Sequence, residues 1–362
     1  MNMKKELAAI LLVFAMLFSL TACGKPAGTD KPADSSQTAG DSAAPSDSQE
    51  VYKIIIGGTS TEDHPTTQSD YKFKEICEER SGGRLVVEVY PNNTLGDSRA
   101  MLEAIQANEV QMSDPSAAVF SSFTEEFNFI GLPFLFNNRF AAYDFFDGEM
   151  GGRISEKVRE DTGIRILGYF ENGMRQLTNS KRPVTSPDDM KGLKIRVMES
   201  PMYIEMFTEM GASPTPMSFA ELYTALQQGT VDGQDNSYTI TCTNALYEVQ
   251  SYMTELGHNF DVTPLCISDE FYMSLPEDLR QIVDEAAAEA TAFDRQMCQD
   301  MEATYIETIQ NGGCEIVKLT DEQRTAFRAV TEGCKDFFLK QYSPSIPLDE
   351  ILAAVDTANA GA

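Results

Sequence analysis

Residues 85–113 decide the fold. Leu85-Val86-Val87-Glu88-Val89-Tyr90 reads as a strand. Asp97 to Asn108 reads as a helix with Met101, Leu102 and Ile105 along one face, and Val110-Gln111-Met112-Ser113 reads as a further short strand. Working back toward the N-terminus, Tyr52-Lys53-Ile54-Ile55-Ile56 is another strand. It is followed by a helical stretch from about Pro65 to Arg80 that Ser81-Gly82-Gly83 closes. This βαβαβ alternation predicts an α/β fold with a parallel sheet and helices on both faces.

The middle of the chain repeats that style with marked boundaries. Ser186-Pro187-Asp188-Asp189 places an N-cap before a proline at the first helical position, and Gly192 ends the short helix. Leu193-Lys194-Ile195-Arg196-Val197 is then a strand, Ser200-Pro201 starts a helix that stops at Gly211, and Ser218 with Glu221 forms a capping box. Phe219, Leu222 and Leu226 line the buried face of the helix that follows. The C-terminal third reads as helical. Ser274 to Glu277 is expected to be a capping box, and no Gly or Pro interrupts Glu277 to Asn311. A helix of that length would run about 50 Å, enough to lie across two domains. Thr320 to Gln323 is expected to cap a final long helix.

The first fifty residues have a different character. Lys4 and Lys5 precede an apolar run from Leu7 to Phe18. That run falls well short of the roughly 20 residues needed to cross a hydrocarbon core, so residues 1–22 read as a secretory signal peptide. Leu20-Thr21-Ala22-Cys23-Gly24 resembles a bacterial lipobox, in which the cysteine is acylated and becomes the mature N-terminus. Residues 23–50 contain no aromatic and no aliphatic residue larger than Ala. They are expected to form a lipid-anchored, disordered tether with a reach of roughly 30 Å. The expected location is therefore outside the cytoplasm, held at the cell membrane by a lipid on Cys23.

Composition narrows the function classes. With 28 basic and 56 acidic side chains the net charge is −28, which disfavours nucleic acid as a partner. Cys77, Cys242, Cys266, Cys298, Cys314 and Cys334 form no C-x-x-C pair, and only two histidines are present. A zinc site has little to use, and mostly buried thiols are expected. No nucleophile elbow, P-loop, Rossmann glycine fingerprint or H-E-x-x-H occurs, so neither an enzyme nor a cofactor is expected, although two of the many carboxylates could in principle act as a glycosidase acid and base.

Several stretches together resemble one family. They are Glu78-Glu79-Arg80-Ser81-Gly82-Gly83-Arg84, Tyr90-Pro91-Asn92, Leu132-Pro133-Phe134-Leu135-Phe136, Gly173-Met174-Arg175-Gln176-Leu177-Thr178-Asn179, and the long run from Pro214 to Asn236. In this order they resemble the DctP-type solute-binding proteins of tripartite ATP-independent periplasmic (TRAP) transporters, over nearly all of Val51 to about Tyr342. The resemblance implies a two-domain periplasmic-binding-protein-like fold with a hinge and a long helix spanning both domains. It places residues 51–172 plus about 262–300 in domain I, and residues 173–261 plus about 301–345 in domain II. It further implies a monomer that captures a small organic acid and delivers it to the membrane subunits of a TRAP permease.

The same resemblance assigns site residues. Arg196 matches the arginine that pairs with the ligand carboxylate. Strand alternation puts Lys194, Arg196 and Met198 on the face opposite Leu193, Ile195 and Val197, and a guanidinium there matches a carboxylate in bidentate fashion. Arg175 is expected either to touch the ligand or to hold the surroundings of Arg196. Asn236 matches a ligand hydrogen-bonding position, with Asp235 and Ser237 beside it where the family commonly has Glu and Pro. Phe219 serves equally as pocket wall or core contact. In the first domain, His64 either hydrogen-bonds a ligand hydroxyl or caps the helix at Pro65, and Ser113-Asp114 lies just after a strand, where open α/β sheets bind ligands. The pattern Glu171 to Arg175 followed by Gly211 to Met217 looks most like members that take sugar acids such as hexuronates or aldonates. A C4-dicarboxylate or keto acid is the alternative ligand, and a ligand-sensing lipoprotein the alternative role.

Overall fold

The computed structural model describes residues 50–362. Eleven strands form two sheets. They are β1 Tyr52–Gly57, β2 Leu85–Tyr90, β3 Met112–Ser113, β4 Ile164–Met174, β5 Gln176–Asn179, β6 Lys194–Val197, β7 Ser213–Pro216, β8 Gly233–Asn236, β9 Tyr252–Thr254, β10 Phe260–Ser268 and β11 Glu315–Val317. The first sheet runs β2-β1-β3-β10-β4 and the second β11-β9-β5-β8-β6-β7. The architecture is two α/β lobes, each built on one sheet, with the chain passing between the sheets.

The helix Pro65–Arg80 carries the chain from β1 to a parallel β2, with Ile54 opposite Val87, and the helix Ser98–Gln106 leads to β3, parallel to β1 on its other side. Asp97 caps that second helix by accepting from the Ala100 N–H at 3.0 Å. The expected wholly parallel sheet is corrected at its other half. β10 enters between β3 and β4 and runs antiparallel to both, so the sheet is mixed. All nine residues of β10 are buried, so the strand shows no inside–outside alternation that would announce it.

Helix boundaries follow local chemistry in most places. Ser186 and Asp189 form a reciprocal capping box with Pro187 at the first helical position, and Thr320 and Gln323 form another. The capping box expected at Ser274 is not there. Ser274 ends the short helix Asp269–Ser274, its hydroxyl bonding the Phe271 carbonyl at 2.6 Å, and Pro276 stands at the start of the next helix. The final long helix expected after Thr320 is broken into Asp321–Val330 and Gly333–Gln341. A further helix, Leu348–Gly361, packs on the helix Arg139–Asp147. The six cysteines from Cys77 onward are free thiols, five of them buried. No helix among the described residues is long and apolar enough to cross a membrane.

The uninterrupted helix Glu277–Asn311 contacts both lobes. Its first half lies on the helix Pro65–Arg80 and on β4, and elsewhere it packs on Tyr238–Thr243, the helix that follows β8 of the second sheet. Arg295 fastens it to the first lobe by a two-pronged pair with Asp147 (2.5 and 2.8 Å), by the Tyr169 carbonyl, and by stacking over the Tyr143 ring. Close approach to β4 depends on Gly168, because a Cβ there would overlap the Thr291 hydroxyl, itself bonded to the Ala287 carbonyl at 2.8 Å. Gly168→Ala is expected to destabilise the protein by about 1–3 kcal/mol in urea unfolding, the usual range for overpacking. Adding Thr291→Ala should restore most of that loss, since only an ordinary contact to the Thr291 Cβ position remains.

Candidate functional site

The chain crosses between the sheets three times, once through the long helix and twice at short neighbouring connections. β4 ends at Met174 and β5 begins at Gln176, so Arg175 is the single residue between them; the return runs from Thr254 to Phe260. The two crossings are stitched by the Arg175 N–H donating to the Asn259 carbonyl at 2.8 Å. The Arg175 side chain is almost completely buried there. Its Nε donates to Asp235 Oδ2 at 2.6 Å, its Nη1 to Asp261 Oδ2 at 3.0 Å, and its Nη2 to the Asp235 carbonyl. Asp235 belongs to the second sheet and Asp261 to the first, so one guanidinium joins the two.

Further bonds complete the junction. His258 Nε2 lies 3.1 Å from Asp235 Oδ2, Asn172 donates to Asp261 at 2.6 Å, and the Ser116 hydroxyl donates to it at 3.0 Å. Burial alone would raise both aspartate pKa values. At Asp235 the Arg175 charge and the His258 bond overcome burial and hold the carboxyl well below its usual range, whereas at Asp261 burial prevails and the value is raised. Asp261 was missed in the sequence, although a charged residue between Phe260 and Val262 in an otherwise apolar run is a visible signal.

Against this junction opens a cleft with about 730 Å³ of atom-free space, part of it open to solvent. The second lobe contributes Arg196, Phe219, Asn236, Met217 and Ser218, and Arg175 forms part of its floor. The first lobe contributes Thr59, Ser60, Asn93, Asp114 and Ser116 from segments that follow strands, Thr263 from within β10, and Asp97, Arg99 and Val119 beside them. Thr59 and Ser60 follow β1, Asn93 follows β2 and Asp114 follows β3, so this wall is the carboxyl edge of the parallel strands. Apart from Asp114, these residues carried no local motif, because edge positions are defined by which strands come together.

Arg196 differs sharply from Arg175. It is only 2% exposed, yet among the described residues it makes no ion pair; its Nε donates to the Met217 carbonyl at 3.1 Å. Its guanidinium carbon lies 6.0 Å from the Phe219 ring centre. Burial and the nearby Arg175 charge lower its pKa to about 10, so it stays charged at neutral pH. A buried cation without a direct counter-charge on a cleft wall is suited to receive an anion, since its desolvation has already been met by the fold.

The cleft therefore brings together four of the five residues expected from the sequence: Arg196, Arg175, Asn236 and Phe219. Asn236 donates to Gln234 Oε1 at 2.6 Å, which fixes its amide. Phe219 lines the cleft and also packs against the cluster of Leu222, Leu226 and Leu246. His64 is outside the cleft lining. Its Nδ1 accepts from the Thr66 N–H at 3.1 Å, so it caps the helix Pro65–Arg80, and burial lowers its pKa to about 4, leaving the ring neutral. Among the described residues no cluster of His, Cys, Asp and Glu is arranged to hold a metal ion.

Residues 56–341 match the family model described as bacterial extracellular solute-binding protein, family 7, known as DctP. The chain belongs to this family. Among curated members, it is 32% identical over 286 residues to the 2,3-diketo-L-gulonate-binding periplasmic protein YiaO of Escherichia coli, covering 79% of this chain and 85% of that one. Among solved DctP-type structures, the sugar acid binding protein from Advenella mimigardefordensis in complex with galactonate superposes with a TM-score of 0.81 at 28% identity, covering 85% of this chain and 99% of that one. A TRAP periplasmic solute-binding protein from Shewanella oneidensis with bound succinate gives 0.80 at 33% identity, covering 86% and 99%. Members of this family are binding proteins rather than enzymes, in keeping with a cleft built around one unpaired cation.

The two arginines predict opposite phenotypes. Arg175→Met leaves Asp235 and Asp261 buried without their cation, and should cost about 3–5 kcal/mol of unfolding free energy. Arg196→Met removes a buried charge that has no counter-ion in the protein, and should leave the urea midpoint unchanged or raise it.

Proposed function

We propose that this protein is the extracytoplasmic solute receptor of a TRAP transporter and that its cargo is a polyhydroxy monocarboxylate, a sugar acid of the aldonate or hexuronate type. The observation that carries this reading is the asymmetry of the cleft. One wall holds Arg196, which pairs with no protein carboxylate although Glu199 lines the cleft near it, and the opposite wall holds Thr59, Ser60, Asn93, Ser116 and Asp114, with Asp97 and Arg99 beside them. The first wall suits a carboxylate and the second a chain of hydroxyls.

A C4-dicarboxylate needs a second cation opposite the first. The first-lobe lining offers Arg99, which donates to the Ser122 hydroxyl at 2.6 Å, pairs loosely with Glu103 at 3.9 Å, and stands over the Phe123 ring. These contacts are all with groups of its own lobe, and its side chain is 44% exposed. The galactonate complex of one relative and the diketogulonate specificity named for another support the sugar-acid reading, while the succinate complex of a third defines the competitor to be tested.

In this account Arg196 fixes the carboxylate, Asn236 and Phe219 bound it on the second-lobe side, and the first lobe reads the hydroxyls. Arg175 holds the junction and preserves the environment of Arg196. We assign residues 51–172 plus about 262–300 to one closing body and 173–261 plus about 301–345 to the other. The closed complex then docks, as a monomer, on the permease. The signal peptide, the lipid on Cys23 and the tether up to residue 49 lie outside the described residues, and they fit a carrier kept near its permease at raised effective concentration.

A melting screen with galactonate, glucuronate, succinate and a keto acid tests the ligand class. A cognate acid at about 100 times its dissociation constant should add roughly 2.7 kcal/mol to stability. Arg196→Ala should weaken that binding by about 2–5 kcal/mol while the fold survives; no response to any organic acid would contradict the reading. For the anchor, expression of the Cys23→Ser chain in the native host should move the protein from the membrane fraction to the medium or periplasm. Unchanged membrane retention would sink the lipid assignment.

A further inference from the structure

A second groove lies on the far side of the two short crossings from the cleft. Arg175 turns into the cleft floor, whereas its chain neighbours Met174 and Gln176 line this rear groove, as side chains alternate along extended backbone. The groove holds about 900 Å³ of atom-free space, part of it open to solvent. Three parts of the fold meet there: Phe136 and Asn137 of the first lobe, Glu302 and Ile306 of the long helix, and Arg324 and Arg328 of the helix Asp321–Val330. That last helix packs on Pro187–Met190, between β5 and β6, and so belongs to the second lobe.

Arg324 and Arg328 stand four residues apart, on one face of their helix, where two like charges repel. Among the described residues neither forms an ion pair. Arg324 donates from Nη1 to the Leu256 carbonyl at 2.7 Å, and its other N–H groups are uncommitted. The Arg328 guanidinium lies over the Phe134 ring, 4.6 Å from its centre; stacking uses the face of the group and leaves its in-plane N–H fork free. Partial burial and the Arg324 charge lower the Arg328 pKa, as two unneutralised neighbours require. The carboxylates of the groove are engaged elsewhere. Glu302 pairs with Arg139, and Glu255 accepts from the Tyr238 hydroxyl at 2.7 Å with Lys318 4.0 Å away. Arg324 is half-buried and Arg328 exposed, so an ion from solvent reaches both.

We propose that the rear groove is a second anion site, in which Arg324 and Arg328 hold a small tetrahedral oxyanion of the phosphate or sulfate type. Two guanidinium forks offer more donors than the two oxygens of a carboxylate can accept, and a tetrahedral ion supplies the rest. Asn137 faces them from the first lobe. Its backbone N–H goes to Asn359 at 2.8 Å, and among the described residues its side-chain amide has no partner.

Such an occupant is linked to the hinge. Arg324 holds Leu256 of the return crossing, and the next residue, Gly257, donates to Gln176 Oε1 of the outward crossing at 3.0 Å. Lobes that close the cleft by turning about these crossings draw apart behind them. An anion held from both lobes therefore favours the open cleft and weakens binding of the cargo. The linkage rests on the organic-acid reading; the site itself does not.

Calorimetric titration of the full-length Arg196→Ala chain with sodium phosphate or sodium sulfate at low ionic strength tests the site, because the cleft receptor has been removed. One oxyanion should bind with a dissociation constant on the order of 1 mM. Adding Arg324→Gln and Arg328→Gln should weaken it about tenfold or more, and chloride should not replace it. Oxyanion binding that survives both substitutions, or its absence from the Arg196→Ala chain, overturns the proposal. If the combined variant does not fold, Arg328→Gln alone decides, since an exposed side chain is lost and oxyanion affinity should still fall severalfold. In the chain with Arg196 intact, phosphate at about ten times its dissociation constant should weaken cargo binding about three- to fivefold. Competition at Arg196 would persist in the Arg324→Gln/Arg328→Gln chain, so an equal effect there overturns the linkage. A chain that binds phosphate but no organic acid refutes the cargo reading and upholds the site.

Discussion

The structure depends on one guanidinium. Arg175 sits between β4 and β5, where the chain leaves the first sheet for the second, and ties Asp261 of the one to Asp235 of the other. A buried arginine is tolerable only when its donors are met, and here they are met by groups from both sheets. The junction thereby acquires a fixed geometry at the point where two lobes must share a boundary. The price is two carboxylates facing one arginine in a buried site.

That excess explains how Arg196 can remain buried and charged without a direct partner. Burial and Arg175 oppose its protonated form, while Asp235, Glu199 and Asp261 favour it at longer range. A carboxylate entering the cleft completes the local balance. In the proposed reading, specificity for an anion follows from a deficit that the protein leaves unfilled on one wall, and specificity for the rest of the ligand from the opposite wall of mostly polar groups. The brace Glu277–Asn311 holds both lobes in reach of one another, with Gly168 allowing it to lie close on β4.

Much of this was legible in the sequence where the determining contacts are local. The 35-residue helix Glu277–Asn311 was readable end to end, because nothing in it breaks the backbone ladder. The units β1, β2 and β3 with their connecting helices showed in their alternating pattern, and Arg196 showed by strand position together with family resemblance. What was not legible depends on distant pairing. The insertion of β10 between β3 and β4 joins segments far apart in the chain, and a strand buried on both faces has no period to reveal it. The Ser274 reading failed because a capping-box pattern also fits the end of one helix followed by Leu275-Pro276. His64 shows the same ambiguity, since a histidine before a proline at a strand's end serves as cap or ligand contact alike.

The central claim is that the ligand's carboxylate sits on Arg196 while its hydroxyls face the first-lobe wall. A crystal structure of the complex with the acid selected in the melting screen tests this most directly. The account predicts a carboxylate oxygen within hydrogen-bond distance of the free Arg196 nitrogens, with Arg175 still bound to Asp235 and Asp261. A carboxylate found against Thr59, Asn93 and Asp114, with Arg196 facing the hydroxyl end, would contradict it.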